Sequence, residues 1–140
     1  MSVGTSPRAV AIDSTTNKIY VANFGVKPTS CTSITGGSVT VIDGVTYSTT
    51  TTLSGLYGVG VNPKVLAVDE ATDQVYVVSL GRRYFKSFFS YLCNIPSSLA
   101  RIDGQTLSTS SAFLGGLGGA SSIALNPATD NIYVSAVAAT

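Results

Sequence analysis

The sequence contains no histidine, and only 11% of its 140 residues are charged. A typical globular chain has about 25% charged residues. The missing histidine removes the commonest general base, the Ser–His–Asp arrangement and most zinc and iron sites. We therefore expect a protein that is not an enzyme and that holds no metal and no cofactor.

The formal net charge is only +1, so no overall field attracts nucleic acid or an anionic membrane. No apolar run approaches the roughly 20 residues of a membrane-spanning helix. The first ten residues, MSVGTSPRAV, lack the apolar core of a signal peptide. We expect no nucleic-acid partner, no membrane insertion and a soluble chain, with any export signal upstream of it.

A nine-residue pattern occurs three times, which makes an internal repeat the main feature of the sequence. The copies are DSTTNKIYV at Asp13–Val21, DEATDQVYV at Asp69–Val77 and NPATDNIYV at Asn126–Val134, about 56 residues apart. Repeats with such a period determine the architecture of a chain.

Short alternating segments bounded by turn residues surround each copy and predict strands. The predicted strands are Pro7–Asp13, Lys18–Asn23, Ser38–Asp43, Tyr47–Leu53, Lys64–Asp69, Gln74–Ser79, Leu99–Asp103, Leu107–Phe113, Ser121–Asn126 and Asn131–Ala136. No apolar period of 3.6 residues indicates a helix. Four short strands per unit, joined by glycine-containing connections at Gly55–Gly60 and Gly115–Gly119, predict an all-β fold of β-propeller blades, which are four-stranded antiparallel sheets.

These blades form one domain over residues 1–140. Blade 1 covers about 7–53, blade 2 about 63–113, and a half blade covers 121–136.

The segment PRAVAIDSTTNKIYVAN, followed by GSVTVID, resembles the YVTN-type family of β-propeller repeats. Tyr20–Asn23 stands at the position of the family's naming tetrad, whereas Tyr76–Ser79 and Tyr133–Ala136 depart from it. The resemblance implies a ring of about seven blades, within the usual range for propellers. Two and a half blades cannot close such a ring. The chain is then a fragment, or several copies complete one another, or an open array stacks into a polymer.

Cys31 and Cys93 both fall in the long loop between the second and third strands of successive units. Equivalent loops of adjacent blades emerge on the same side of a propeller, so we predict a disulfide between them. Free thiols in a cytosolic chain are the alternative. The paired cysteines, the low charge and the many Ser and Thr residues favour an extracellular or cell-surface location.

The segment Gly81–Leu92 has no counterpart in the first unit and combines cations with aromatic rings. Its candidate interaction residues are Arg82, Arg83, Tyr84, Phe85, Lys86, Phe88, Phe89 and Tyr91. Such residues anchor protein interfaces and also stack on sugars or bases. The structural alternative is an insertion that folds over its blade and buries its own rings.

Six of the seven acidic residues occupy repeat-equivalent positions beside turns, namely Asp13 with Asp69, Asp43 with Asp103, and Asp73 with Asp130. Asp favours such positions because its side chain bonds to nearby backbone. We therefore assign these carboxylates a structural role.

The sequence favours a non-enzymatic, extracellular β-propeller segment that serves as a structural or protein-interaction module. It would associate with itself, as an oligomer or filament, or with another protein. One alternative is a fragment of a larger ligand-binding or lactonase-like propeller with its pocket at the central channel. Another is carbohydrate or surface recognition through the aromatic insertion at 82–92. The sequence identifies no small-molecule ligand.

Overall fold

The computed structural model describes residues 2–26, 36–55, 59–86, 90–115 and 117–138. Over these residues it contains strands and turns and no helix. The strands are β1 (Pro7–Asp13), β2 (Lys18–Asn23), β3 (Ser38–Asp43), β4 (Thr49–Ser54), β5 (Pro63–Asp69), β6 (Gln74–Ser79), β7 (Arg82–Lys86), β8 (Ser90–Ile95), β9 (Ser97–Asp103), β10 (Thr109–Leu114), β11 (Leu117–Asn126) and β12 (Asn131–Ala138). None of the described segments could cross a bilayer as an apolar helix.

The strands form two four-stranded sheets and two two-stranded sheets, and every pairing is antiparallel. The first sheet has the order β1-β2-β3-β4, and the second has β5-β6-β9-β10. The third sheet is β11-β12. The strands β7 and β8, which lie between β6 and β9 in the sequence, form a separate hairpin. The prediction of an all-β fold with four-stranded antiparallel sheets is confirmed. Within the described residues the sheets do not close into a ring.

Aspartates at strand ends stabilise the turns, as the sequence predicted. One carboxylate oxygen of each accepts hydrogen bonds from backbone N–H groups two or three residues further on. These bonds run from Thr15 and Thr16 to Asp13 (2.9 and 3.2 Å), from Val45 and Thr46 to Asp43 (2.9 and 2.7 Å), and from Gln105 and Thr106 to Asp103 (3.0 and 2.7 Å).

The predicted starts of the fourth strands were wrong by two residues. Tyr47 and Leu107, which we expected to begin strands, have left-handed φ values of 56° and 58°. They complete the turns after Asp43 and Asp103, whose carbonyl oxygens each accept a 2.9 Å bond from the Tyr47 or Leu107 N–H. The last strand of each four-stranded sheet therefore begins at Thr49 or Thr109.

Two connections contain more strand than the sequence indicated. The segment expected to be a long loop after β6 forms the β7-β8 hairpin, in which Arg82 pairs with Ile95. The glycine-rich segment expected to connect blades already belongs to β11 from Leu117 onwards, where register shifts accompany the glycines. A glycine in a strand commonly marks such an irregularity.

The main hydrophobic core lies between the first and second sheets. Alternate residues of each strand point into it, as the period of two requires. The first sheet contributes Tyr20, Ala22, Val39 and Val41, and the second contributes Leu66, Val75, Val77, Ala100 and Ile102. Val59, from the segment before β5, is also fully buried in this core.

Candidate interaction faces and the junctions between sheets

Each sheet has two faces, which we name by the order of the chain. The leading face looks towards the preceding sheet, and the trailing face looks towards the following one. The trailing face of the first sheet, with Tyr20, packs on the leading face of the second sheet, with Leu66. The third sheet continues this order, because β11 lies against β5, β6 and β9 of the second sheet.

The exposure of the repeat-equivalent tyrosines follows this stacking. Tyr20 is fully buried, Tyr76 is partly buried, and Tyr133 on the trailing face of the third sheet is 57% exposed. The gradient exists because the first trailing face is covered by four strands, the second by two, and the third by none of the described residues. The described residues therefore leave the trailing face uncovered at Tyr133.

The opposite end presents an uncovered leading face. Val10 and Ile12 in β1 are 64% and 56% exposed. Their repeat equivalents in β5, Leu66 and Val68, lie in or against the buried core. Two β-branched side chains that would be covered in an internal sheet are thus open to solvent here. We call the Val10 and Ile12 surface and the Tyr133 surface the two end faces.

Residues 2–6 shield the rest of the first leading face. The Oγ1 of Thr49 donates to the Ser2 carbonyl at 2.9 Å, and Phe24 N–H donates to the Ser6 carbonyl at 2.8 Å. Gly4 approaches so closely that an added Cβ would lie 2.8 Å from the Asn23 and Ser38 side chains. The exposed part of this end face is therefore confined to the β1 side.

A pair of carboxyl groups lies at the junction of the first and second sheets. Asp13 ends β1 and is fully buried, and Asp73 lies in the turn between β5 and β6. The Oδ2 of Asp13 and both carboxylate oxygens of Asp73 are inaccessible to solvent, and while both groups are ionised no N–H or O–H group of the described residues donates to them. Two facing carboxylates can satisfy each other only if they share a proton.

The environments of the two groups place that proton on Asp73. Burial raises the pKa of the Asp73 carboxyl, and so do the hydrogen bond to Asp13 and the Asp13 charge. Burial has the largest influence on Asp13 as well, but hydrogen bonds from Thr16, Asp73 and Thr15 outweigh it and lower its pKa. When the pair holds one proton, that proton is therefore on Asp73, which donates to an ionised Asp13.

Lys18 and Tyr20 complete this junction. The Lys18 ammonium donates to the Gly104 carbonyl of the second sheet, and its charge opposes the rise in the pKa of Asp73. Burial, with the charges of Asp73, Asp13 and Asp103, raises the pKa of Tyr20 to about 12. Its hydroxyl is buried and has no hydrogen-bond partner in the described part of the chain. Tyr20 is therefore neutral and cannot serve as a phenolate nucleophile near neutral pH.

A second polar link joins the same two sheets. The N–H and Oγ of Ser14 both donate to Oε1 of Glu70, at 3.1 and 2.8 Å. Among the described residues, no three His, Cys, Asp or Glu side chains are grouped so that they could hold a metal ion. The polar groups at this junction therefore connect the first and second sheets.

The corresponding junction between the second and third sheets is more open. It contains a cavity of about 280 Å³ lined by Asp69, Tyr76, Arg101, Asn126 and Asp130, among others. Asn126 occupies the position that Asp13 has in the first unit. Beside the cavity, Lys64 Nζ donates to the Ala120 carbonyl of β11 at 3.5 Å. The third sheet has two described strands where the second has four, so fewer strands cover the second sheet on this side.

The predicted aromatic interaction segment coincides with the β7-β8 hairpin. Its residues Arg82, Arg83, Tyr84, Phe85 and Lys86 form β7, and Tyr91 lies in β8. Phe88 and Phe89 lie outside the described residues. An interaction through this segment stays a prediction.

The predicted disulfide is also untested. The backbone of Cys93 pairs with that of Tyr84 in the hairpin, whereas Cys31 lies outside the described residues.

The sequence predicted an incomplete ring with faces that need a partner, but Val10, Ile12 and Tyr133 were not identified as the residues of those faces. Aligning the repeats shows that Val10 and Ile12 correspond to core residues, and that Tyr133 corresponds to Tyr20.

Comparison with known protein families and with curated proteins gave no match.

Proposed function

We propose that this chain is a segment of a YVTN-type β-propeller that acts outside the cell as a non-enzymatic structural module. It makes protein contacts through its two end faces. The strongest support is the exposure of Val10, Ile12 and Tyr133, because the equivalents of all three are more deeply buried inside the chain. A repeat unit buries its faces against neighbouring units, so the two faces that the described residues leave open are suited to contact with another unit.

The order of packing supports the assignment of the sheets as blades. The first strands of the three sheets are neighbours, because β1 contacts β5 and β5 contacts β11. Propeller blades are arranged in this way, with the first strand of each blade near a common axis. The insertion of the second unit, β7-β8, lies between β6 and β9 along the chain. It forms a separate sheet, so β6 and β9 remain neighbours in the second sheet.

The roles of the polar residues support a structural function. Asp13, Asp43 and Asp103 each accept backbone hydrogen bonds in turns. The remaining unusual groups, Asp73 and Tyr20, lie in a sealed junction with no solvent-accessible oxygen. A substrate could not reach these atoms without separating the two sheets, so their arrangement serves to join the sheets.

The proposal is tested by the particle mass. Sedimentation over a roughly hundredfold concentration range should show self-association, since uncovered apolar faces of repeat units associate with one another. A variant with Val10→Ser, Ile12→Ser and Tyr133→Ser should remain folded and shift towards the monomer. If the unmodified chain stays a monomer throughout and the variant behaves identically, the end faces do not bind protein.

A further inference from the structure

We propose that the partner of the end faces is a second copy of this chain, docked head to tail. The trailing face of the third sheet of one copy, with Tyr133, would cover the leading face of the first sheet of the next copy, with Val10 and Ile12. This inference rests on the proposed function of the end faces and specifies their partner and its orientation.

The apolar groups of the two end faces match an interface that the chain already forms. Inside the chain, Tyr20 of a trailing face packs in one cluster with Leu66 of a leading face. Tyr133 is the repeat equivalent of Tyr20, and Val10 is that of Leu66. Docking two copies in the same geometry would continue an established interface with side chains of the same kinds.

The polar groups of the two end faces are also complementary. They are amides, whereas the groups at the internal junction are carboxyls. Inside the chain, Asp13 faces Asp73, and a hydrogen bond between these two carboxyls requires a shared proton. At a head-to-tail contact the same two positions are occupied by Asn126 of one copy and Asn17 of the next. A primary amide both donates and accepts hydrogen bonds, so two amides can pair without a shared proton.

The backbones that would present these amides match the internal ones. The Ala128 N–H donates to Asn126 Oδ1 at 3.1 Å, as the Thr15 N–H donates to Asp13 Oδ1 at 2.9 Å. Asn17 has a φ of 51°, and Asp73 has a φ of 53°. The backbone φ at Asn17 and the turn bond at Asn126 therefore resemble those at the internal carboxyl positions.

The backbone carbonyl that accepts from Lys18 across the internal junction also has an equivalent at the leading end face. Lys18 donates to the Gly104 carbonyl across the internal junction, and Asn131 and Gly44 are the equivalent residues at the two ends. Gly44 and Gly104 are held alike, because their N–H groups donate to the carbonyls of Asn17 and Asp73, both at 2.8 Å.

Two titratable groups would be close to the amide pair in the docked pair of copies. Asp43 stands where Asp103 does, and Tyr133 stands where Tyr20 does. Asp43 is the one carboxylate of these two groups. Because Asn126 and Asn17 occupy the positions of Asp13 and Asp73, the contact does not bring two carboxylates together there.

The contact is heterologous, because it joins two different faces. Each added copy leaves one face of each kind free, so assembly either closes into a ring or continues as an open array. An isologous dimer, in which one end face pairs with itself, would stop at two copies. This difference permits a decisive mixing experiment.

The experiment uses one variant for each face. Ile12→Asp disables the leading face and Tyr133→Asp disables the trailing face. The control is Val26→Asp, which changes a 66% exposed valine after β2, at the opposite end of that strand from Asn17. Circular dichroism and thermal unfolding confirm that each variant folds. We expect each face variant alone to be monomeric and their mixture to form a 1:1 heterodimer and nothing larger. Val26→Asp should assemble as the unmodified chain does.

The other outcomes separate the two proposals. If one face variant still forms a dimer by itself, the contact is isologous, which overturns the head-to-tail arrangement and leaves self-association intact. If both variants assemble normally, the end faces are not the contact. If the unmodified chain is a monomer, both proposals fail.

A second test addresses the amide pair directly. Replacing Asn17 and Asn126 together by Asp should recreate the internal carboxyl pair between copies. At about pH 8 the double variant should assemble at least about tenfold more weakly than the unmodified chain, and acidification to about pH 5 should remove most of that difference. Each single substitution should have a smaller effect. A double variant that assembles like the unmodified chain at both pH values would show that the two amides do not face each other.

Discussion

Replacing Asp73 by Asn should stabilise this chain near neutral pH. The Oδ2 of Asp13 and both Asp73 oxygens are buried without partners among the described residues, so the pair requires a proton that aspartate does not normally hold at this pH. An asparagine amide supplies the missing N–H donor permanently. The turn accepts asparagine, because Asn17 occupies the equivalent position with nearly the same φ.

The magnitude follows from two opposing contributions. A hydrogen bond to a charged acceptor contributes about 1.5–3 kcal/mol to stability. The substitution also removes the attraction between Lys18 and the ionised form of Asp73, which is worth at most about 1 kcal/mol for a partly exposed pair. We therefore expect a net gain of about 1 kcal/mol. For a chain of this length the melting temperature should rise by about 3–4 °C.

The gain should depend on pH in a defined direction. The pKa of Asp73 is raised in the folded state, so its protonation stabilises the fold at low pH, and this contribution is lost as the pH rises through the raised pKa. The advantage of Asp73→Asn is therefore largest above that pKa and shrinks below it. The pKa of Asp13 is lowered, so its contribution is lost as the pH falls, and this loss affects both proteins.

Guanidinium unfolding at a series of pH values between about 4 and 8 measures the difference. Asp130→Asn is the matched control, because Asp130 occupies the equivalent turn position of the third unit and is exposed. Its effect should stay within about 0.5 kcal/mol, as for other surface substitutions. The reasoning is refuted if Asp73→Asn destabilises the protein at pH 7, or if its advantage grows on acidification.

Three further predictions address other parts of the chain. Gly60→Ala should cost about 2–4 kcal/mol in urea unfolding, because φ is 80° and the new Cβ would lie 2.7 Å from the Cβ of a buried serine of β6. Gly55→Ala, with a φ of 105° but no described atom within 4 Å of its Cβ, should cost only about 1 kcal/mol, and equal losses would contradict the steric argument. Tyr20→Phe removes a buried hydroxyl without a partner and should change stability by less than about 1 kcal/mol in either direction, so a larger loss would reveal a bond to that hydroxyl. In protein purified without reductant, peptide mapping by mass spectrometry should find Cys31 linked to Cys93, and free thiols at both positions would count against an extracellular location.

The sequence was sufficient to predict the strands and the turns because both have local causes. Alternating residues bury one face of a strand, and the carboxylate of Asp43 or Asp103 bonds to the backbone of its own turn. The left-handed positions at Tyr47 and Leu107 could not be predicted, because neither residue type signals that conformation. The hairpin at β7-β8 was missed because its segment has no repeat partner with which to compare it.

The candidate site was predictable only in part, because it depends on how sheets stack. The assignment of Asp13 to a turn was right for Oδ1, which accepts the backbone bonds. It did not predict that Oδ2 faces Asp73, which lies in a different sheet. Local sequence patterns do not contain the offset between two packed sheets, so the carboxyl pair became visible only in the structure.

The distribution of carboxyl and amide groups along the repeats has a physical explanation in the proposed assembly. The internal contact between Asp13 and Asp73 forms within one chain, where the two sheets are held at a high effective concentration. The contact therefore forms despite the free-energy cost of protonating one carboxyl. A contact between separate copies must also overcome the loss of translational and rotational freedom. Asn17 and Asn126 remove the proton requirement at the two ends, where an additional cost would weaken association directly. On this view, pH changes the stability of the internal junction more than it changes the contact between copies.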